Sequence, residues 1–251
     1  MRLLDNAQGN YRFLTGIAPY SAGVVAMPGY EIVRVTLQTP VAYRPGFALI
    51  ERYLAARQRP QQALCGVELR LPQPLSFGGF NDFNVGYQAL LADWNLLLGE
   101  NNPVARTNIA PAIDPPTEPC LYAFSYTIAC NESTPPPTFI VAGAGDLDDQ
   151  ANLSLAAIVR PGETSAQALR EKAACVMAVM TARLTGLGMA WANVTAVDLY
   201  TTQPIHPVLR PVILAALATP PSTASIGTTA IRPSPIWPLR WICAAFVGND
   251  E

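Results

Sequence analysis

Three consecutive prolines, Pro135, Pro136 and Pro137, constrain this 251-residue chain more than any other feature. The segment 131–137 (Asn-Glu-Ser-Thr-Pro-Pro-Pro) has no apolar periodicity, so it reads as an exposed, semi-rigid linker. On both sides of it strands and helices follow in a similar order, which argues for a tandem duplication at the level of architecture. The sequence therefore predicts an N-terminal domain over 1–130 and a C-terminal domain over 138–251.

In the first half, 11–15 and 23–27 read as short strands. Residues 30–39 set Ile32, Arg34, Thr36 and Gln38 against Val33, Val35 and Leu37, the period-two pattern of a strand. Phe47, Ile50 and Leu54 recur at helical spacing behind Pro45 and Gly46, and Pro60 ends that helix. A strand follows over 64–71. Ser76-Phe77-Gly78-Gly79-Phe80 opens a second helix that runs to Leu98 with Gly99 as its cap, and 104–110 and 121–128 are strands.

The second half gives strands at 138–142 and 155–159, separated by a turn at 143–146, and the acids Asp146, Asp148 and Asp149 read as a solvated turn rather than a cation site. A long helix follows, capped by Thr164 or Ser165, with Leu169, Cys175, Val176, Val179, Met180 and Leu184 on its apolar face. Gly186 and Gly188 stop it. Strands at 193–201, 226–231 and 239–247 and a helix over 206–218 complete the pattern. Two helices against a mostly antiparallel sheet in each half make the fold class α+β.

Composition excludes several functions. A net charge of −2 with no basic cluster leaves no electrostatic footprint for nucleic acid. No run reaches the ~18 apolar residues of a membrane span, and the N-terminus lacks the apolar core of a signal peptide. The reading is a cytoplasmic protein without a membrane partner. Apolar residues are 50% and charged residues 14% of the chain, so part of its uncharged surface is expected to be covered by other subunits. Five scattered cysteines and one histidine, His206, imply no metal site and no disulfide framework. At the start of a helix, His206 reads as a solvated or capping residue rather than a base.

Among small and apolar neighbours on a short strand, Arg106 is the residue whose burial calls for an anionic partner, because a guanidinium does not deprotonate and needs its donors filled. That partner is either an internal Asp or Glu or a carboxylate from outside. Phe80, Asn84, Tyr87 and Pro103-Val104-Ala105-Arg106 are spaced like the Phe…Asn…Tyr…Pro-Ala-Arg signature of the RidA (YjgF-type) imine/enamine deaminase family. The second half resembles the same family at Ile158 to Thr164, along the long helix, and at Gly188-Met189-Ala190-Trp191-Ala192-Asn193-Val194.

The resemblance implies two tandem RidA-like (chorismate-mutase-like) domains, a homo-oligomer arranged as a trimeric ring, and ligand sites in clefts between subunits. It also implies hydrolysis of a small carboxylate-bearing enamine or imine, of the 2-aminoacrylate or 2-aminomuconate kind, with no cofactor. Arg106 would clamp the carboxylate, Asn84, Tyr87 and Asn108 would line the site, and Tyr122 or a neighbour takes the place of the family's catalytic glutamate, where a tyrosine can hold a water or donate a proton. Glu118 is the nearby acid that could substitute for it. The second half lacks the Pro-Ala-Arg, so Arg232 or Arg240 is left for an anion, or both are surface or interface arginines. The tandem arrangement also resembles the chorismatases, and a silent ligand-binding or scaffold protein is the non-enzymatic alternative.

Overall fold

The computed structural model describes residues 1–130, 136–201 and 203–217, and the backbone of 226–227 and 240–245. The chain forms two compact units that divide between Ala142 and Gly143.

The first unit holds strands β1 (Leu3–Asn6), β2 (Tyr11–Leu14), β3 (Gly23–Ala26) and β4 (Tyr30–Ala42), then helix α1 (Tyr43–Ala56). Strand β5 (Leu64–Arg70), helix α2 (Phe77–Asp93), and strands β6 (Ala105–Ile109) and β7 (Cys120–Ala129) follow. One sheet runs β4-β7-β5-β6. Its β5–β6 pair is parallel, as the crossover through α2 requires, and its other pairs are antiparallel. The expected strand at 138–142 is β8 (Phe139–Ala144), and its residues 139–141 pair with β3 to extend the antiparallel β1-β2-β3 sheet of this first unit.

Both helices lie on one face of the four-stranded sheet. Phe47, Ile50 and Leu54 of α1 and Tyr87 and Leu91 of α2 bury against Val67, Leu69, Leu121 and Phe124. The helical spacing of the α1 residues is what the sequence predicts. Gly46 lets α1 approach closely, because a Cβ there would stand 2.8 Å from Leu121 Cβ. A second core of Tyr11, Phe13, Val24, Ile32, Cys65 and Ala105 lies under the β1-β2-β3 strands.

In the second unit, helix α3 (Ala166–Gly186) begins at Ser165, whose hydroxyl accepts from the Ala168 amide at 3.2 Å. Strand β9 (Ala196–Tyr200) is flanked by β10 (Ile226–Gly227) and β11 (Arg240–Ala245), both parallel to it. Helix α4 spans His206–Val208, and a π-helical turn, Leu209–Leu214, continues it. The molecule is thus α+β, with sheet and helix in both units. No helix among the described residues is long and apolar enough to cross a membrane.

Several expectations are corrected. Helix α2 stops at Asp93 rather than Leu98, because Asn95 takes a left-handed φ of 51° and turns the chain. Residues 155–159 form a 3₁₀ turn, Leu155–Ala157, in place of a strand. The α-helix expected over 206–218 is replaced in its middle by the π turn, since Pro211 has no amide to donate within it. The turn at 143–146 is not solvated at Asp146, which is 1% exposed and receives the Lys172 ammonium at 2.6 Å. The greater part of the proline-rich segment, 131–135, lies outside the described residues.

Candidate active site

Arg106 sits on β6, an edge strand, in parallel register with Val67, so its side chain points to the helix-covered face of the sheet. It is 3% exposed. Its Nη2 donates to Asn84 Oδ1 at 2.7 Å, across from the middle of α2. Its Nη1 is buried with no hydrogen-bond partner, and no carboxylate among the described residues pairs with it.

Aromatic rings take the place of a counter-ion. The Arg106 Cζ lies 4.4 Å from the Tyr87 ring centroid, 5.3 Å from Tyr20, 5.6 Å from Phe83 and 5.7 Å from Phe80. Each such contact contributes on the order of 2 kcal/mol when desolvated, which offsets part of the several kcal/mol that burying an ion costs. Burial accordingly lowers the Arg106 pKa, with Tyr87 and then Tyr20 acting in the opposite sense. The Tyr87 phenol is pushed up to about 12 by burial, which Arg106 partly offsets. Its hydroxyl is fully buried and has no hydrogen-bond partner among the described residues.

Asn108, two residues along β6 on the same face, leaves both carboxamide atoms unpartnered. The structure thus brings Arg106, Asn84 and Tyr87 into direct contact, with Asn108 next along the strand. Their collected chemistry is one free guanidinium edge, one protonated phenol and one amide that donates and accepts, a set suited to a planar carboxylate with a nitrogen substituent.

Tyr122 and Glu118 stand elsewhere in the chain. Strand β7 carries a bulge at Tyr122, because Glu68 pairs with Ala123 while Leu69 pairs with Leu121. The extra residue re-aims its side chain. The Arg70 Cζ lies 3.9 Å and the Arg34 Cζ 5.7 Å from the Tyr122 ring. Arg34 binds Glu68 bidentately at 2.5 and 2.7 Å, and Glu68 alternates with Val67 and Leu69 on the sheet face away from Arg106. Glu118 is exposed in the loop before β7. Arg232 lies outside the described residues. His206 is exposed at the first position of α4. No cluster of three potential metal ligands occurs among the described residues.

Sequence reasoning missed Tyr20 and Ser21. They come from the connection between β2 and β3, where no periodicity marks a residue as facing a site. The Ser21 amide donates to Val104 O at 3.0 Å, and an isolated bridge sets Ser21 beside Ala105. Asn102 secures the same loop, accepting from the Val104 amide at 2.9 Å and donating to Ala18 O at 3.4 Å. The Ser21 hydroxyl is buried without a partner.

No solved structure matches the chain. A 2-amino-5-chloromuconate deaminase of Comamonas testosteroni is 40% identical over 203 residues, 81% of each protein. The family model described as 2-aminomuconate deaminase CnbZ matches residues 3–236 and so includes every element of the Arg106 site. With a match over nearly its whole length, the chain belongs to the CnbZ 2-aminomuconate deaminase family.

Proposed function

We propose that the protein is a hydrolytic deaminase of 2-aminomuconate-type enamines, with the carboxylate beside the amino group held by Arg106. The single observation that carries this reading is the buried Arg106 Nη1, which among the described residues has no hydrogen-bond partner and no carboxylate paired with it. A substrate carboxylate there satisfies a donor and a charge that the chain leaves unsatisfied. The Tyr87 hydroxyl, kept protonated at neutral pH, donates to the same anion, and the Asn108 carboxamide meets the amino group.

The chemistry asks little more of the protein. Protonation of the enamine carbon gives an iminium, water adds to its C=N carbon, and the carbinolamine expels ammonia to leave a ketone. One water is consumed and one ammonia released. Holding the carboxylate fixed beside a positive charge places the C=N carbon for attack and lowers the entropic cost of reaching the transition state. The four-stranded sheet with two helices on one face supports the RidA-like reading of the first unit, and the matching element order keeps the tandem, ring-forming arrangement as its extension. Exposed Val85 (72%) and Ile113 (79%) suit a subunit contact that covers apolar surface.

Incubation with 2-aminomuconate generated in situ, with ammonia measured enzymatically, tests the activity. Wild type is expected to release one ammonia per substrate, and Arg106→Ala none above background. A second reading, binding of a carboxylate without turnover, draws on the aromatic wall around Arg106, which contains no acidic side chain. Saturable binding of muconate with no ammonia from the amino compound would select it.

A further inference from the structure

An arginine that grips a substrate must be reachable, and Arg106 is 97% enclosed with its free nitrogen inaccessible. Some part of the aromatic wall therefore moves. Tyr20 is held by the backbone bonds of its loop, from the Tyr20 amide to Ile17 O and from the Ser21 amide to Val104 O, both 3.0 Å. Tyr87 is fully buried against Phe47, and Phe83 packs on both Tyr43 and Tyr87.

Phe80 is the exception. Like Tyr20 it is half-buried and has no ring–ring partner among the described residues, but it stands on the first turn of a helix rather than on a loop bonded to Val104. Two bonds to Ser76 secure that turn: the Gly79 amide to Ser76 Oγ at 3.1 Å and the Phe80 amide to Ser76 O at 2.8 Å. None of α2 is fully buried before Asn84. Two successive glycines, Gly78 and Gly79, precede Phe80 inside the helix. At Gly78 the space requires no glycine, since a Cβ there would meet nothing nearer than Ser76 Oγ at 4.0 Å. Its effect in a helix is to raise the cost of staying folded, about fivefold in population relative to alanine. A turn with few buried contacts and weak helix propensity belongs to the low-stability end of a structure.

Resting on the carboxylate-gripping role of Arg106, we propose that Phe80 is the gate residue of this site: the Ser76-to-Phe80 turn unwinds on its glycines, swings the ring off the guanidinium, and admits the anion. Gly78→Ala then favours the closed turn, and Ser76→Ala, which removes the cap, favours the open one. Neither residue is a hydrogen-bond or ring partner of Arg106.

The test reads access rather than turnover. Phenylglyoxal modification of Arg106, followed by peptide mass spectrometry, is compared with amide hydrogen exchange at 80–83 in wild type and both variants. Gly78→Ala is expected to slow both rates about fivefold, and Ser76→Ala to speed both several-fold. Phe80→Ala should speed modification alone. The gate is overturned if modification of Arg106 stays constant while exchange at 80–83 changes, or if neither rate responds to either variant. These rates are independent of ammonia release, so failure of the deaminase reading and failure of the gate are told apart.

Discussion

Arg106 donates to Asn84 Oδ1 at 2.7 Å, and among the described residues this neutral amide is the only hydrogen-bond partner of its terminal nitrogens. A neutral acceptor orients the guanidinium without cancelling its charge, which is what a site for an external anion requires. Structural arginines in the same unit behave otherwise: Arg34 is neutralised bidentately by Glu68.

Replacing the charge separates stability from function. Arg106→Met removes a buried cation that has no ion partner, so the melting temperature should stay level or rise. Carboxylate binding and kcat/KM should fall at least about a hundredfold. Arg106→Lys keeps the charge but loses the planar fork and should recover only a fraction. Thermal denaturation alongside ammonia release checks both halves. A large loss of stability in Arg106→Met would mean that the guanidinium serves the fold.

Asn84→Asp places an internal carboxylate where the amide oxygen now accepts. The resulting ion pair occupies Arg106 from within and competes with the substrate. The variant should fold as well as wild type and show a KM raised by about tenfold or more. Steady-state kinetics beside a melting curve will show it, and an unchanged KM would place the substrate carboxylate elsewhere.

Burial of Tyr87 sets an alkaline signature. Its folded pKa of about 12 exceeds the ordinary value of 10.0, so the phenol contributes stability in full below pH 10. That contribution is lost as pH rises through about 12. Tyr87→Phe should flatten the fall in stability over this window, leaving the part owed to Tyr11, another buried tyrosine raised by desolvation. Near pH 7 the same change should cost under about 1 kcal/mol, because the hydroxyl has no partner to lose. Urea midpoints at pH 7, 9 and 11 give the comparison.

Much of the first unit was legible because each cue was local. Alternation over 30–39, the Phe47, Ile50 and Leu54 spacing, and the turn from Ser76 to Phe80 that opens α2 all state their structure within a few residues. Arg106 was legible for a related reason: a cation among small apolar residues has to be explained. Tyr122 was not, since a single inserted residue in β7 reverses the face that simple alternation assigns. Tyr20 and Ser21 were hidden because they reach the site through a backbone pairing with β6 that no side-chain pattern announces. Asp146 was misread as solvated, since its partner lies 26 residues away on the buried face of α3.

That last pair carries the prediction for the second unit. Lys172 is the only lysine in the chain, and it is buried against Asp146 with side-chain exposures of 5% and 1%. A lysine buried in this way cannot be exchanged for a neutral residue alone, because the carboxylate it neutralises is itself 1% exposed and gains little water in its place. Lys172→Met should therefore destabilise the second unit by about 3–5 kcal/mol, and Asp146→Asn by a comparable amount. The double variant should recover part of the loss, since it removes both charges of the pair together. Urea denaturation of the four proteins closes the cycle. A second readout follows from the uniqueness of the lysine: an amine-reactive reagent should label Lys172 only as the second unit opens, at a rate that rises in Asp146→Asn. Rapid labelling of native wild type would show that the ammonium is open to solvent and the pair is not the lock described.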